Sequence, residues 1–253
     1  GVLGLTTPNI PGWEPLANRP GLSWEDPVET ARRLVPLLRG KERCDVVVVV
    51  VHSGLEVDPA TGEPNGTSHE NRVAGLAKEV PGIDLILTGH THRKIPLTRV
   101  HGVPVTQPGR WGEALARVDL VVERSKRGAK VVDVRGTLLP SDASTATDPE
   151  IAAIARPYHE KALAYLNEPL AVATGPFPGE RARLEDTALL DLVNETQLAA
   201  TGADVSLTSL LPFRFEGWEA GPVTVRQVYA LYPYENQLVV LEIDGARLKA
   251  VLE

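Results

Sequence analysis

Methionine is absent from all 253 residues, and the chain opens on Gly1. A reading frame starts with methionine, and the opening GVLGLTTP reads as a strand already under way. At the other end, DGARLKAVLE opens a helix at Gly245 and stops at Glu253. The expectation is an interior piece of a longer chain, whose missing partner is an N-terminal segment of the same protein. Cysteine is reduced to Cys44, which excludes an internal disulfide and reads as a small core residue. No apolar run reaches the ~18 residues that a membrane span needs, and no leader pattern is present. Basic runs are missing too. A net charge of −7 and a pI near 5.5 argue against a nucleic acid polymer as partner, and leave room for a small phosphate compound in a local basic pocket. The chain carries neither an internal repeat nor a low-complexity tract.

What is there is a soluble, globular composition, 43% apolar and 23% charged, with length for one large domain or two smaller ones. Residues 1 to about 6 read as a buried strand, followed by a proline-rich loop. DPVETARRLVPLLRG reads as a helix with Asp26 as N-cap, Pro27 at its first position and Gly40 closing it. Valine fills positions 46 to 51 without a break, a strand over 45–51. After a polar loop, HENRVAGLAKEVPG reads as a helix and Ile83 to Leu87 as the next strand. This alternation predicts a largely parallel sheet, and the uninterrupted apolar runs suit strands covered on both faces. From HGVPVTQPG to VVDVRGTLLP shorter, alternating strands predict an antiparallel continuation.

SDASTATDPE, residues 141–150, reads as a linker, and DPEIAAIARPYHEKALAYLNEP as a helix interrupted at Pro157. The predicted domains are residues 1–147, a linker helix over 148–168, and a second domain over 169–253. In that domain, EDTALLDLVNETQLAATG reads as a helix with Asp186 as N-cap, ADVSLTS as a strand, and VTVRQVYALYPYENQLVVLEIDG as two strands around a Pro-Tyr-Glu-Asn turn.

The valine strand ends in His52-Ser53-Gly54, and the following strand ends in Gly89-His90-Thr91-His92. In open α/β sheets, ligands bind at the carboxyl ends of the strands, so parallel strands gather His52, His90 and His92 at one edge. Imidazole is a common ligand of zinc, manganese and iron. His90 and His92 lie two apart across a tight turn, which suits two neighbouring metal ions better than one. His69, just before a helix where it or Ser68 offers a cap, reads as structural or exposed. His101 and His159 read the same way.

VVVHSG followed by VPGIDLILTGHTH resembles the calcineurin-like metallophosphoesterases of the 5'-nucleotidase group. GVLGLTTPNIPGWE and LYPYENQLVVLEIDG are most similar to its 2',3'-cyclic-nucleotide 2'-phosphodiesterase/3'-nucleotidase branch. The resemblance implies the C-terminal half of a metallophosphoesterase α/β sandwich, a linker helix, and the first part of an α+β nucleotide-binding domain. It implies two divalent metal ions (zinc, manganese, iron or cobalt), with His52 and His90 on one and His92 on the other. It also implies export to the periplasm, cell wall or medium. The family's D-x-H, G-D and G-N-H-E/D motifs do not occur in this sequence. The bridging carboxylate and the catalytic residues are therefore expected upstream of Gly1, and the chain holds half of a dinuclear site. Asp45 and Asp84 start their strands, away from the histidine edge.

For the substrate, aromatic rings stack on a nucleobase while an amide reads its edge. The resemblance implies that Tyr234 is one half of such a clamp, that Asn236 hydrogen-bonds the base, and that Arg214 holds the sugar or phosphate side. The activity it implies is hydrolysis of 2',3'-cyclic nucleotides and 3'-nucleotides by the parent protein. A 5'-nucleotidase or nucleotide-sugar hydrolase, and a nucleotide-binding fragment without turnover, are the alternatives.

Overall fold

The structure, a computed structural model, describes residues 1–66, 69–126, 128–210, 215–234 and 236–253. It divides into two compact units, Gly1–Ala146 and Thr147–Glu253.

The first unit is built on a five-stranded sheet. Its elements in chain order are β1 (Val2–Thr6), α1 (Ile10–Trp13), α2 (Pro27–Gly40), β2 (Val48–His52), α3 (Val73–Glu79), β3 (Leu85–Thr88), β4 (Lys94–Val100) and β5 (Val103–Pro108). The strand order is β1-β2-β3-β5-β4. Every neighbouring pair is parallel except β4 with β5. Long hairpin strands β6 (Ala114–Ser125) and β7 (Gly128–Pro140) form their own antiparallel pair.

Helix α2 starts where the sequence says it must. The Asp26 carboxylate accepts from the Val28 and Glu29 N–H groups, and Pro27 occupies the first turn, where its missing N–H costs nothing. Gly40 lies inside the helix, and the cap falls one residue later at Lys41. Helix α2 buries Val28, Ala31 and Val35, at helical spacing, in a core with Val49, Val51, Leu76, Ile86 and Val105. Helix α3 has no side-chain cap at Arg72. Instead the Glu56 carboxylate accepts from Ala74 and Gly75, 2.7 and 3.1 Å away, so His69 does not cap the helix, and Ser68 lies outside the described residues. Strand β1 corrects the expectation of a buried strand. It is an edge strand in which only Leu3 is buried, and Val2 remains 71% exposed.

The second unit begins with α4 (Pro149–Leu166), capped by Asp148. Pro157 lies inside it without interrupting it, contrary to the sequence reading. Then come β8 (Pro169–Ala173), β9 (Phe177–Pro178), α5 (Ala188–Thr201), β10 (Gly217–Trp218), β11 (Gly221–Thr224), α6 (Val225–Leu231) and α7 (Gly245–Leu252). Strands β8 and β11 pair antiparallel, as do β9 and β10. Their core holds Ala173, Leu189, Trp218, Val223 and Leu231. Helix α5 is capped by Thr187, one residue after the expected Asp186, and closed by Gly202 in the left-handed region.

Two strand expectations fail here. VRQVYAL is helix α6, because Thr224 and Gln227 close a capping box at its start. Residues 203–209 and 238–243 are not strands, and Leu238 to Leu241 stay more than half exposed. Their β-rich composition finds no ladder partner among the described residues.

Candidate metal-binding edge

Strands β2 and β3 run parallel in the register Val48↔Leu85 through Val51↔Thr88. That register sets His52 level with Gly89, one residue before His90. A Cβ placed on Gly89 would lie 3.6 Å from Nδ1 of His52, so the second turn passes directly beside the first imidazole. The rings of His52 and His90 meet edge to face with centroids 5.2 Å apart, and the Trp13 ring lies 5.3 Å from His90, tilted by 32°.

His90 and His92 both have positive φ, 71° and 58°. That conformation disfavours any residue with a Cβ by roughly 1–2 kcal/mol. The sharp turn leaves His90 half-buried beside His52, while His92 is exposed and within electrostatic reach of His52. The three imidazoles feel one another: burial pushes the His52 imidazole below its usual range, and the charges of His90 and His92 push it further. Neutral imidazole is the form that binds metal.

A carboxylate of this chain also reaches the edge, distinct from the bridging carboxylate expected upstream of Gly1. Glu70 Oε2 lies 3.5 Å from His90 Nε2, and both side chains are only about one-fifth exposed, 19% and 20%. Glu70 is held from behind. Its carbonyl accepts from the hydroxyls of Thr7 and Ser53, at 2.9 and 2.8 Å. Ser53 in turn accepts from the Arg72 N–H at 2.9 Å. Next to it, buried Asn71 accepts from the Gly54 N–H at 2.9 Å and donates to the Asn65 carbonyl. A cleft of about 370 Å³ opens beside His90, lined by Asn65, Glu70, Asn71, Thr91 and Arg93 among others. Arg93 is tied there to the buried Asp58 at 3.1 Å. Glu70 and Asn71 escaped the sequence reading, which weighed only the neighbouring His69, an exposed residue. The available signal was the acid–amide pair immediately before the first turn of a helix.

Asp84 stands at the opposite end of the strands. It pairs with Arg39 and accepts from the Val47 N–H at 2.7 Å, so it does not serve the histidine edge.

The residues fit a metal in kind, with imidazoles and one carboxylate at the carboxyl edge of a parallel sheet. They do not complete a coordination sphere: among the described residues, no group of three or more His, Cys, Asp or Glu side chains is arranged to hold an ion.

In the second unit, Tyr234 is 64% exposed and Asn236 donates from Nδ2 to the Tyr232 hydroxyl at 3.2 Å. Both follow helix α6 and do not sit between two strands as expected. Arg214, with Phe213, lies outside the described residues. Among the described residues no helix is long and apolar enough to cross a membrane.

Residues 169–253 match the family model described as 5'-nucleotidase, C-terminal domain. A 2',3'-cyclic-nucleotide 2'-phosphodiesterase/3'-nucleotidase of Haemophilus influenzae is 29% identical over 292 aligned positions, which cover 100% of this chain and 43% of the relative. The chain thus spans less than half of that relative's length. Among solved structures, a Staphylococcus aureus protein assigned to the 5'-nucleotidases, in complex with alpha-ketoglutarate, superposes with a TM-score of 0.77 at 28% identity, covering 98% of this chain and 48% of the other. The calcineurin-like phosphoesterase YfkN of Bacillus subtilis superposes with a TM-score of 0.56 at 27% identity, covering 65% of this chain and 52% of the other.

Proposed function

We propose that this chain, whose residues 169–253 match the 5'-nucleotidase C-terminal domain model, is part of a metal-dependent hydrolase of nucleotide phosphoesters, acting on 2',3'-cyclic nucleotides and 3'-nucleotides. The observation that carries this reading is the convergence of His52 and His90, from adjacent parallel strands, at one sheet edge beside a polar cleft. The names of the relatives, 2',3'-cyclic-nucleotide 2'-phosphodiesterase/3'-nucleotidase among them, support the substrate class.

In this reading His52 and His90 hold one divalent ion and His92 a second, each zinc, manganese, iron or cobalt by ligand type. Such a pair, when bound, neutralises the phosphate oxygens and lowers the pKa of a water for in-line attack. This chain's own residues contribute ligands, their orientation and recognition of the substrate. The low proton affinity of His52 keeps its lone pair available near neutral pH. Glu70 draws the Nε2 side of His90 towards itself, which orients the ring as carboxylates behind metal-bound histidines do. Tyr234 stacks on the base, Asn236 reads its edge, and Arg214 grips the sugar or phosphate side. Export from the cytoplasm is part of the same proposal and rests on the family resemblance.

The test is His90→Ala in the protein as produced by its host. Hydrolysis of 2',3'-cyclic AMP should fall by at least 100-fold with the thermal midpoint unchanged. Retained hydrolysis would remove His90 from the site. A preference for 5'-nucleotides or nucleotide sugars in the unmutated protein would correct the substrate while leaving the chemistry.

A further inference from the structure

The two histidine-bearing turns touch at Gly54 and Thr91. A Cβ placed on Gly54 would lie 2.2 Å from Thr91 Cγ2, 2.9 Å from Thr91 Oγ1 and 2.7 Å from Asn71 Oδ1. No side chain other than hydrogen fits, so the Thr91 methyl occupies a notch that the missing Cβ creates. On its other side the Thr91 hydroxyl donates to Gln107 Oε1 at 2.9 Å. Gln107 is completely buried, and its Nε2 has no partner among the described residues.

We infer that Gly54, Thr91 and Gln107 are positioning residues: they lock the His90-Thr91-His92 turn to the His52 turn and so fix the spacing of the three imidazoles. The inference deepens the metal-binding reading above and rests on it for its purpose, though not for its geometry.

Three observations converge. First, His90 and His92 flank Thr91 in the left-handed region, φ 71° and 58°, and a conformation that residues with a Cβ disfavour persists only where the surroundings enforce it. Second, the anchors come from different strands. Gly54 follows β2, and Gln107 belongs to β5, which pairs parallel to β3 in the register Leu87↔Thr106. Thr91 is therefore held from both neighbours of the strand that carries it. Third, the buried amide is an expensive way to fill space. An unpartnered buried N–H₂ destabilises a fold, and a leucine would fill the volume without it. A group that lowers stability while bonding the residue between two candidate ligands is what a functional constraint looks like.

That cost supplies a test in which function and structure move in opposite directions. In the 253-residue chain, Gln107→Leu removes both the bond to Thr91 and the orphan amide. Thr91→Val keeps the methyl in the notch and removes only the hydroxyl. For both variants, amide hydrogen exchange at Thr91 and His92 should accelerate at least 10-fold while Val49 to Val51 remain protected. Gln107→Leu should melt at or above the wild-type temperature. Co²⁺ titration should show at least 10-fold weaker binding in both variants. Unchanged exchange at Thr91 and His92, or a lower melting temperature for Gln107→Leu with exchange unchanged, would make Gln107 a packing residue and overturn the inference. So would unchanged Co²⁺ affinity in Gln107→Leu if His52→Ala abolishes Co²⁺ binding. If the wild-type chain binds no Co²⁺ and exchange still accelerates, the locking geometry stands and the metal reading falls.

Discussion

At position 54 the chain tolerates no carbon beyond Cα. The constraint is one of space and not of backbone conformation, since Gly54 is not among the glycines with positive φ. Thr91, backed by Gln107, cannot retreat, and Asn71 Oδ1 is committed to the Gly54 N–H. Gly54→Ala is therefore expected to destabilise the first unit by about 1–3 kcal/mol through overpacking, read as a lower urea midpoint with an unchanged slope. An unchanged midpoint would show that Thr91 moves aside freely. At this scale the histidines were legible in the sequence, because an apolar run that stops at a His-Ser-Gly or Gly-His-Thr-His turn marks a strand end. Glu70 was not. Its approach to His90 depends on the loop folding back so that Ser53 and Thr7 can clasp its carbonyl, and no local periodicity encodes that return. Gln107 was illegible for the same reason: only tertiary structure turns a polar residue in a strand into a buried support.

Among the elements, α2 depends most visibly on one side chain. Asp26 caps it and also pairs with Arg72 at 2.8 Å, tying α2 to the segment that carries Glu70 and Asn71. Burial raises the proton affinity of Asp26, but the bond from Arg72 and the N–H groups of Val28 and Glu29 outweigh it and hold the carboxyl below its ordinary value. The sign follows directly. A carboxyl with a depressed folded-state pKa contributes stability that is fully present above its unfolded value, about 3.9, and lost as pH falls through the lower folded value. Asp26→Asn keeps capping capacity and removes the charge. It should leave stability near pH 7 lower by ~1 kcal/mol or less and flatten its decline below about pH 4, measured by urea unfolding across pH 2.5–7. An acid limb identical to wild type would mean that the pair with Arg72 contributes nothing. Helix α2 and the central strands were readable because cap, proline and apolar spacing agree. Helix α6 was misread because VRQVYAL is rich in β-branched and aromatic residues, while its fate was decided by Thr224 and Gln227 closing the first turn. Helix α4 runs through Pro157 without a break, although the proline removes one backbone donor. Residues 238–243 have strand composition, but a strand exists only where a partner completes its ladder.

Across the whole molecule, the proposed roles divide between two units with separate cores. The histidine edge belongs entirely to residues 1–146, and the exposed Tyr234 to residues 147–253. If Tyr234 stacks on the base, its contribution is to binding of the nucleotide and not to the reacting phosphate. Stacking is worth ~1–3 kcal/mol per base, which corresponds to a factor of roughly 5–150 in affinity. Tyr234→Ala in the protein as produced by its host should thus raise KM for a 2',3'-cyclic nucleotide by about that factor, leave kcat within two-fold as uniform binding requires, and leave hydrolysis of bis-nitrophenyl phosphate unchanged, since that ester presents no base. Equal losses on both substrates would tie Tyr234 to the fold instead. A loss confined to kcat would tie it to the chemistry. The two units are argued from different observations, so this measurement can fail while the histidine edge stands, and loss of activity in His90→Ala can be read without reference to the base.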